Sequence, residues 1–81
     1  MMFTIIGPVS KKIVRITWLE INTPVGNFVI QPGHVPTLLT LSGQQPITFC
    51  LKNGKQESLL VHEGIVEVTR DSATLFINQD L

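Results

Sequence analysis

The sequence predicts an all-β domain, on three observations. Short runs rich in Val, Ile, Thr and Phe recur along the 81 residues, Gly, Pro, Asn, Asp and Ser interrupt them at close intervals, and no stretch sustains a 3.6-residue apolar period. This is the spacing of a sandwich or a barrel. A chain of this length supports one hydrophobic core and is too short for a second. It holds no internal repeat, low-complexity tract or linker, so residues 1–81 read as a single domain.

Strands are expected near 2–6, 12–21, 27–31, 37–41, 46–52, 56–62, 64–70 and 73–78. The first ends at Gly7-Pro8. In the second, Val14, Ile16 and Trp18 alternate with Arg15 and Thr17, one face apolar and the other polar. Trp18 thereby reads as a core aromatic. The phase flips at Trp18-Leu19, so that Leu19 and Ile21 carry the apolar face, which predicts a β-bulge or a sheet-switching bend.

Lys52-Asn53-Gly54-Lys55 is a hairpin signal, because Asn and Gly tolerate the positive φ of tight turns. A two-residue turn would set Leu51 opposite Gln56 and Phe49 opposite Ser58. A three-residue loop over Asn53–Lys55 would set Phe49 opposite Leu59 and Ile47 opposite Val61, and matched apolar pairs favour this odd loop. Arg70-Asp71-Ser72 makes a second tight turn and completes a C-terminal antiparallel meander.

Composition narrows the function classes. Charged residues make up 15% of the chain against about 25% in an average domain. With a mean hydropathy of +0.30, this predicts apolar surface reserved for a partner. Six basic and six acidic residues cancel, leaving no electrostatic footprint for nucleic acid or anionic lipid. Cys50 has no second cysteine to pair with, and one Cys with two distant His falls short of a zinc set. Met1–Gly7 lacks the pattern of a secretory leader, and no run approaches the ~20 apolar residues of a membrane-spanning helix. The expectation is a protein that is soluble, or peripheral on something larger.

Gln31-Pro32-Gly33-His34-Val35-Pro36 stands apart, because two prolines and a glycine around one histidine specify an ordered turn. Here the chain resembles the epsilon family of F-type ATP synthases, whose N-terminal domain carries a glycine and then a Pro-Gly-His-x-Pro segment followed by leucines. In this sequence the segment runs from Gly26 through Pro32, Gly33, His34 and Pro36 to Leu38-Leu39. Thr4-Ile5-Ile6-Gly7-Pro8 resembles the family's opening strand and turn, Ile13–Thr23 its next strand pair, Val61–Val68 a later strand and Thr74–Ile77 the last one.

The resemblance implies a two-sheet β-sandwich of about ten short strands, mostly antiparallel. It implies a non-catalytic rotor subunit with no cofactor, coupling the gamma subunit to the membrane c ring during proton-driven ATP synthesis. Its place would be peripheral to an energy-transducing membrane on the side of the catalytic head, the bacterial cytoplasmic face. The c-ring loop then falls on Thr23, Pro24, Val25, Gly26 and Asn27, and contacts to gamma or the ring fall on Gly33, His34, Leu38 and Leu39. Adjacent strand residues face opposite ways, so only one of the two leucines should be core.

Departures accompany the resemblance. The loop that is often acidic in the family is uncharged over Thr23–Asn27, so ring docking is expected to depend weakly on salt. His62-Glu63 replaces a small-Gly pair, Val29 stands where glycine is common, and the family's C-terminal helical hairpin is missing from these residues. ATP binding and restraint of ATP hydrolysis, which belong to that hairpin, are not carried over.

Plainer readings stand beside these. His34 would serve equally as a turn histidine satisfying nearby backbone. Cys50 reads as a buried structural thiol rather than a nucleophile activated by His62, and His62-Glu63 should diverge rather than share an ion. An epsilon-fold adaptor recruited to another partner is the rival function. A small β-sandwich enzyme is the weaker rival, because no convergent set of reactive groups is visible.

Overall fold

The computed structural model describes residues 1–79. Six strands form: β1 (Met2–Ile6), β2 (Lys11–Thr23), β3 (Gly26–Ile30), β4 (Thr37–Leu51), β5 (Gln56–Val68) and β6 (Ser72–Ile77), with no helix among the described residues. They make one sheet in the order β1-β6-β5-β4-β2-β3, and a further β1–β2 pairing closes it into a barrel-like ring. Only β1–β6 is parallel, so the sheet is mostly antiparallel as expected.

The count of six differs from the expected ten or so short strands in two sheets. The segments expected at 37–41 and 46–52 are a single strand, β4, of 15 residues. Those at 56–62 and 64–70 merge into β5, of 13 residues. The sequence signals read as interruptions are kinks within continuous strands. At Gly43-Gln44, two residues of β4 sit opposite one of β5, with φ of +77° and +58°. This is a bulge, which bends a strand without ending it.

The bulge expected in β2 is present: its register against β4 shifts between Ile16 and Trp18. Because the extra residue falls at Thr17, one position before the expected flip, Leu19 and Ile21 point inward and Trp18 points out. Trp18 is therefore not a core aromatic. It is half-buried and lines an open hollow with Glu20, Val29 and Gln31.

The β4–β5 loop has three residues, but they are Lys52–Gly54 rather than Asn53–Lys55. Gly54 N donates to Leu51 O at 2.9 Å, Leu51 N donates to Lys55 O at 2.7 Å, and Gly54 has φ +93°. Three-residue hairpin loops need a left-handed third residue, and glycine takes that conformation without strain. Gly54 therefore fixes the register, which sets Ile47 opposite Leu59 and Phe49 opposite Glu57. The second turn is as expected, with Thr69 N donating to Ser72 O at 2.8 Å.

The core gathers inward-facing residues of all six strands, among them Phe3, Leu19, Ile30, Ile47, Val66 and Leu75, each fully buried. Each such side chain contributes about 1.5–3 kcal/mol relative to exposure. Phe3 and Phe49 meet edge to face with centroids 5.2 Å apart and join β1 to β4 across the interior.

β5 pairs with β6 only from Gly64 to Val68. Just before that stretch, the Gln79 side-chain amide takes the neighbour's place. It donates to Leu60 O at 2.9 Å and accepts from His62 N at 3.0 Å.

Candidate functional site

The expected contact residues fall on two turns that β3 holds apart. Thr23–Asn27 is the β2–β3 hairpin, in which Thr23 pairs with Gly26 and leaves Pro24-Val25 as the tip. Thr23 Oγ1 donates to Gly26 O at 2.9 Å and accepts from Val25 N at 3.3 Å, so the turn is closed by its own atoms. Val25 at the tip is 86% exposed. The Asn27 amide donates to Asn22 Oδ1 at 2.6 Å and to Glu20 Oε2 at 3.3 Å. A carboxylate thus stands at the base of a loop whose own residues carry no charge. Sequence reasoning missed Glu20, although the period of two that puts residues 20 and 22 on one face could have found it.

Gln31–His34 is the other turn. His34 N donates to Gln31 O at 3.0 Å, and Gly33 has φ +86°. Pro at the second position and positive φ at the third define a type II turn. Gly33 N donates to Arg70 O at 2.8 Å, which ties this turn to the one between β5 and β6. His34 Nδ1 lies 2.7 Å from Val35 O. A carbonyl can only accept, so Nδ1 is the donor in this contact. Thr37 Oγ1 donates to the same carbonyl at 2.7 Å. One nitrogen of His34 therefore satisfies the turn's own backbone.

The leucines divide as the strand period requires. Leu38 is 67% exposed beside Glu67, whereas Leu39 packs on the core opposite Val66. From Gly26 to Ile30 the chain covers about 13 Å of extended strand. The two turns lie at opposite ends of it and form no shared cleft.

Reactive residues are likewise kept apart. Cys50 is buried on β4 and pairs with Gln56, six residues along β5 from the exposed His62, a separation of about 20 Å. That exceeds hydrogen-bond reach several-fold, so the two do not act as nucleophile and base. Among the described residues, no three His, Cys, Asp or Glu side chains gather where an ion could be held. His62 and Glu63 are both exposed.

A small sheet that pairs back on itself, carries stiff turns and has no helix among the described residues belongs to the class of small all-β modules. The chain is a member of a particular family within it, the delta/epsilon chain beta-sandwich domain of ATP synthase, whose family model matches residues 7–79. Two solved structures share the fold. One is a chain of the Tetrahymena thermophila mitochondrial ATP synthase central stalk and c ring, at TM-score 0.80 and 20% identity over 98% of this chain. The other is a chain of the Euglena gracilis mitochondrial ATP synthase OSCP/F1/c-ring assembly in rotational state 1, at TM-score 0.81 and 15% identity over 98% of this chain. The chain spans 63% and 51% of the lengths of those two chains. No curated protein sequence matches it.

Proposed function

We propose that this chain is a non-catalytic central-stalk subunit of a proton-translocating F-type ATP synthase, coupling the gamma subunit to the membrane c ring. Family membership across residues 7–79 carries the reading. The mechanical demand agrees with it: a rotor clamp must pass torque through a stiff body, and a close-packed closed sheet deforms little.

We read the six strands as two packed layers, in line with the family's sandwich. The first halves of β2 and β4, the second half of β5, and β1 and β6 make one layer. The other halves of those long strands and β3 make the second. Support comes from the pairing, since β1 meets only Lys11–Arg15 of β2 while β4 meets it from Ile16 to Ile21. Within β5 the buried positions change phase between Val61 and Val66.

In this reading the Pro24-Val25 tip meets the c ring, Gly33, His34 and Leu38 face gamma or the ring, and Leu39 holds Leu38 from within. The domain would sit beside an energy-transducing membrane on the side of the catalytic head, the cytoplasmic face in a bacterium. The test is co-purification with gamma and the c ring of its own source, comparing wild type with Leu38→Asp. Stoichiometric recovery that the folded variant loses supports the rotor role. Recovery of neither partner by wild type would overturn it in favour of the adaptor.

A further inference from the structure

The turn between β4 and β5 carries a reactive pair that the proposed function leaves unused. Asn53 and Gly54 are the second and third residues of the Lys52–Gly54 loop, and both are exposed. The side-chain amide of an asparagine is open to attack by the backbone nitrogen of the residue after it. Glycine hinders that attack least, because it has no side chain and leaves the backbone free to turn. The other asparagines of the chain, Asn22, Asn27 and Asn78, precede Thr23, Phe28 and Gln79, each of which carries a side chain. Asn53 alone has the unhindered neighbour.

The closed turn holds both reacting groups. Gly54 N, the nucleophile, donates to Leu51 O at 2.9 Å, so the proton it must lose is already committed. Asn53 Oδ1, on the carbonyl under attack, accepts from Lys55 N at 2.9 Å. To reach Asn53 Cγ the Gly54 nitrogen has to leave Leu51 O, and the φ of +93° that the hairpin imposes on Gly54 has to change with it. Reaction in the folded chain therefore waits on opening of the hairpin end.

We propose that Asn53-Gly54 is a deamidation site gated by the β4–β5 turn, silent while the hairpin is closed and reactive once it opens. Gly54 N bonds to Asn53 Cγ and gives up its proton, and the side-chain nitrogen leaves as ammonia, so that a cyclic imide remains. Water then opens the imide at either of its carbonyls. One cleavage leaves aspartate, and the other leaves isoaspartate, in which the main chain runs through the former side chain. The sum is an amide and water giving a carboxylic acid and ammonia, with no change of oxidation state. The two products part on refolding. Aspartate keeps an oxygen to accept from Lys55 N and places its charge between Lys52 and Lys55. Isoaspartate adds a methylene to the main chain of the loop that sets the β4–β5 register, so the 2.7 Å bond from Leu51 N to Lys55 O no longer closes. The site is independent of which partner the domain binds.

The test incubates the full chain in mildly alkaline buffer with and without urea and follows each asparagine by peptide mapping and isoaspartate content. A short peptide spanning Leu51–Gln56 in the same two buffers corrects for any effect of urea on the chemistry itself. Asn53 is expected to convert at least about tenfold faster in urea than in native buffer, and faster there than Asn22, Asn27 or Asn78. Gly54→Ala should slow the conversion in urea, where the turn no longer matters. After dilution from urea, chains with aspartate at position 53 should refold, as should the variant Asn53→Asp, while isoaspartate chains stay unfolded. Equal corrected rates in the two buffers would overturn the gate. A rate in urea that Gly54→Ala leaves unchanged would overturn the site, and isoaspartate chains that refold as aspartate chains do would overturn the effect on register.

Discussion

The two turns flanking β3 are built on opposite plans. The β2–β3 hairpin closes on itself through Thr23, and among the described residues no hydrogen bond ties its Pro24-Val25 tip to another element. The Pro-Gly-His turn is held from outside, by the Gly33 bond to Arg70 O and by two donors on Val35 O. A self-closed turn can change its tip freely, so its sequence is available for recognition. A turn braced by a remote strand connection is part of the scaffold, and altering it disturbs what it braces.

That contrast predicts a ranked series of effects. Leu39→Asp puts a carboxylate against the core at the inner end of the braced segment and should cost roughly 2–4 kcal/mol in urea unfolding. Leu38→Asp, one residue away, should change stability by less than about 0.5 kcal/mol. Equal losses from the two would remove the distinction between core and contact leucine.

Gly33→Val forces a branched residue to φ +86° and should cost about 1–2 kcal/mol. Gly26→Val is the sharper comparison, because φ there is +145° in the self-closed hairpin with no atom within 4 Å of an added Cβ. Its cost should stay local, whereas Gly33→Val should also speed amide exchange around Arg70–Ser72. Exchange that is unchanged at the β5–β6 turn would show that the Arg70 bond braces nothing.

Thr23→Val removes both hydroxyl bonds at the hairpin and should cost about 0.5–1.5 kcal/mol, with no effect on the Pro-Gly-His turn. Val25→Asp should be nearly silent in stability, within about 0.5 kcal/mol, yet abolish recovery of the c ring. Smallest is the salt effect. With a neutral tip, ring recovery should fall less than about threefold between low and high salt, and Glu20→Gln should flatten even that residue of dependence. A steep decline would mean that Glu20, not the tip, dominates the contact.

The sequence disclosed the strand content, the bulge in β2 and both tight turns, because alternation, Pro and Gly are local signals. It also required one of Leu38 and Leu39 to face the core without saying which, and the structure turns Leu39 inward. It misled where a local signal had two physical outcomes. Ser42-Gly43 and His62-Glu63-Gly64 look like interruptions, yet each marks a kink that pairing across the sheet carries through. Trp18 was misplaced by a one-residue error in the bulge, which left Leu19 and Ile21 inward as expected. Glu20 was overlooked although the period of two puts it on one face with Asn22, whereas outward neighbours such as Leu38, Ile65 and Phe76 were hidden because they come from different strands. Only the register brings them together.

Gln79 carries a consequence of another kind. An unpaired stretch of strand is an open invitation to another chain, and β5 before Gly64 is such a stretch. By answering one backbone carbonyl and one backbone N–H there, the amide of Gln79 imitates a single residue of a seventh strand. A foreign strand growing along that edge would first have to evict it. Glu57, turned toward the interior side at the far end of the same edge, gives an intruder a second reason to stop. The domain thus guards a margin of its sheet that strand pairing leaves open.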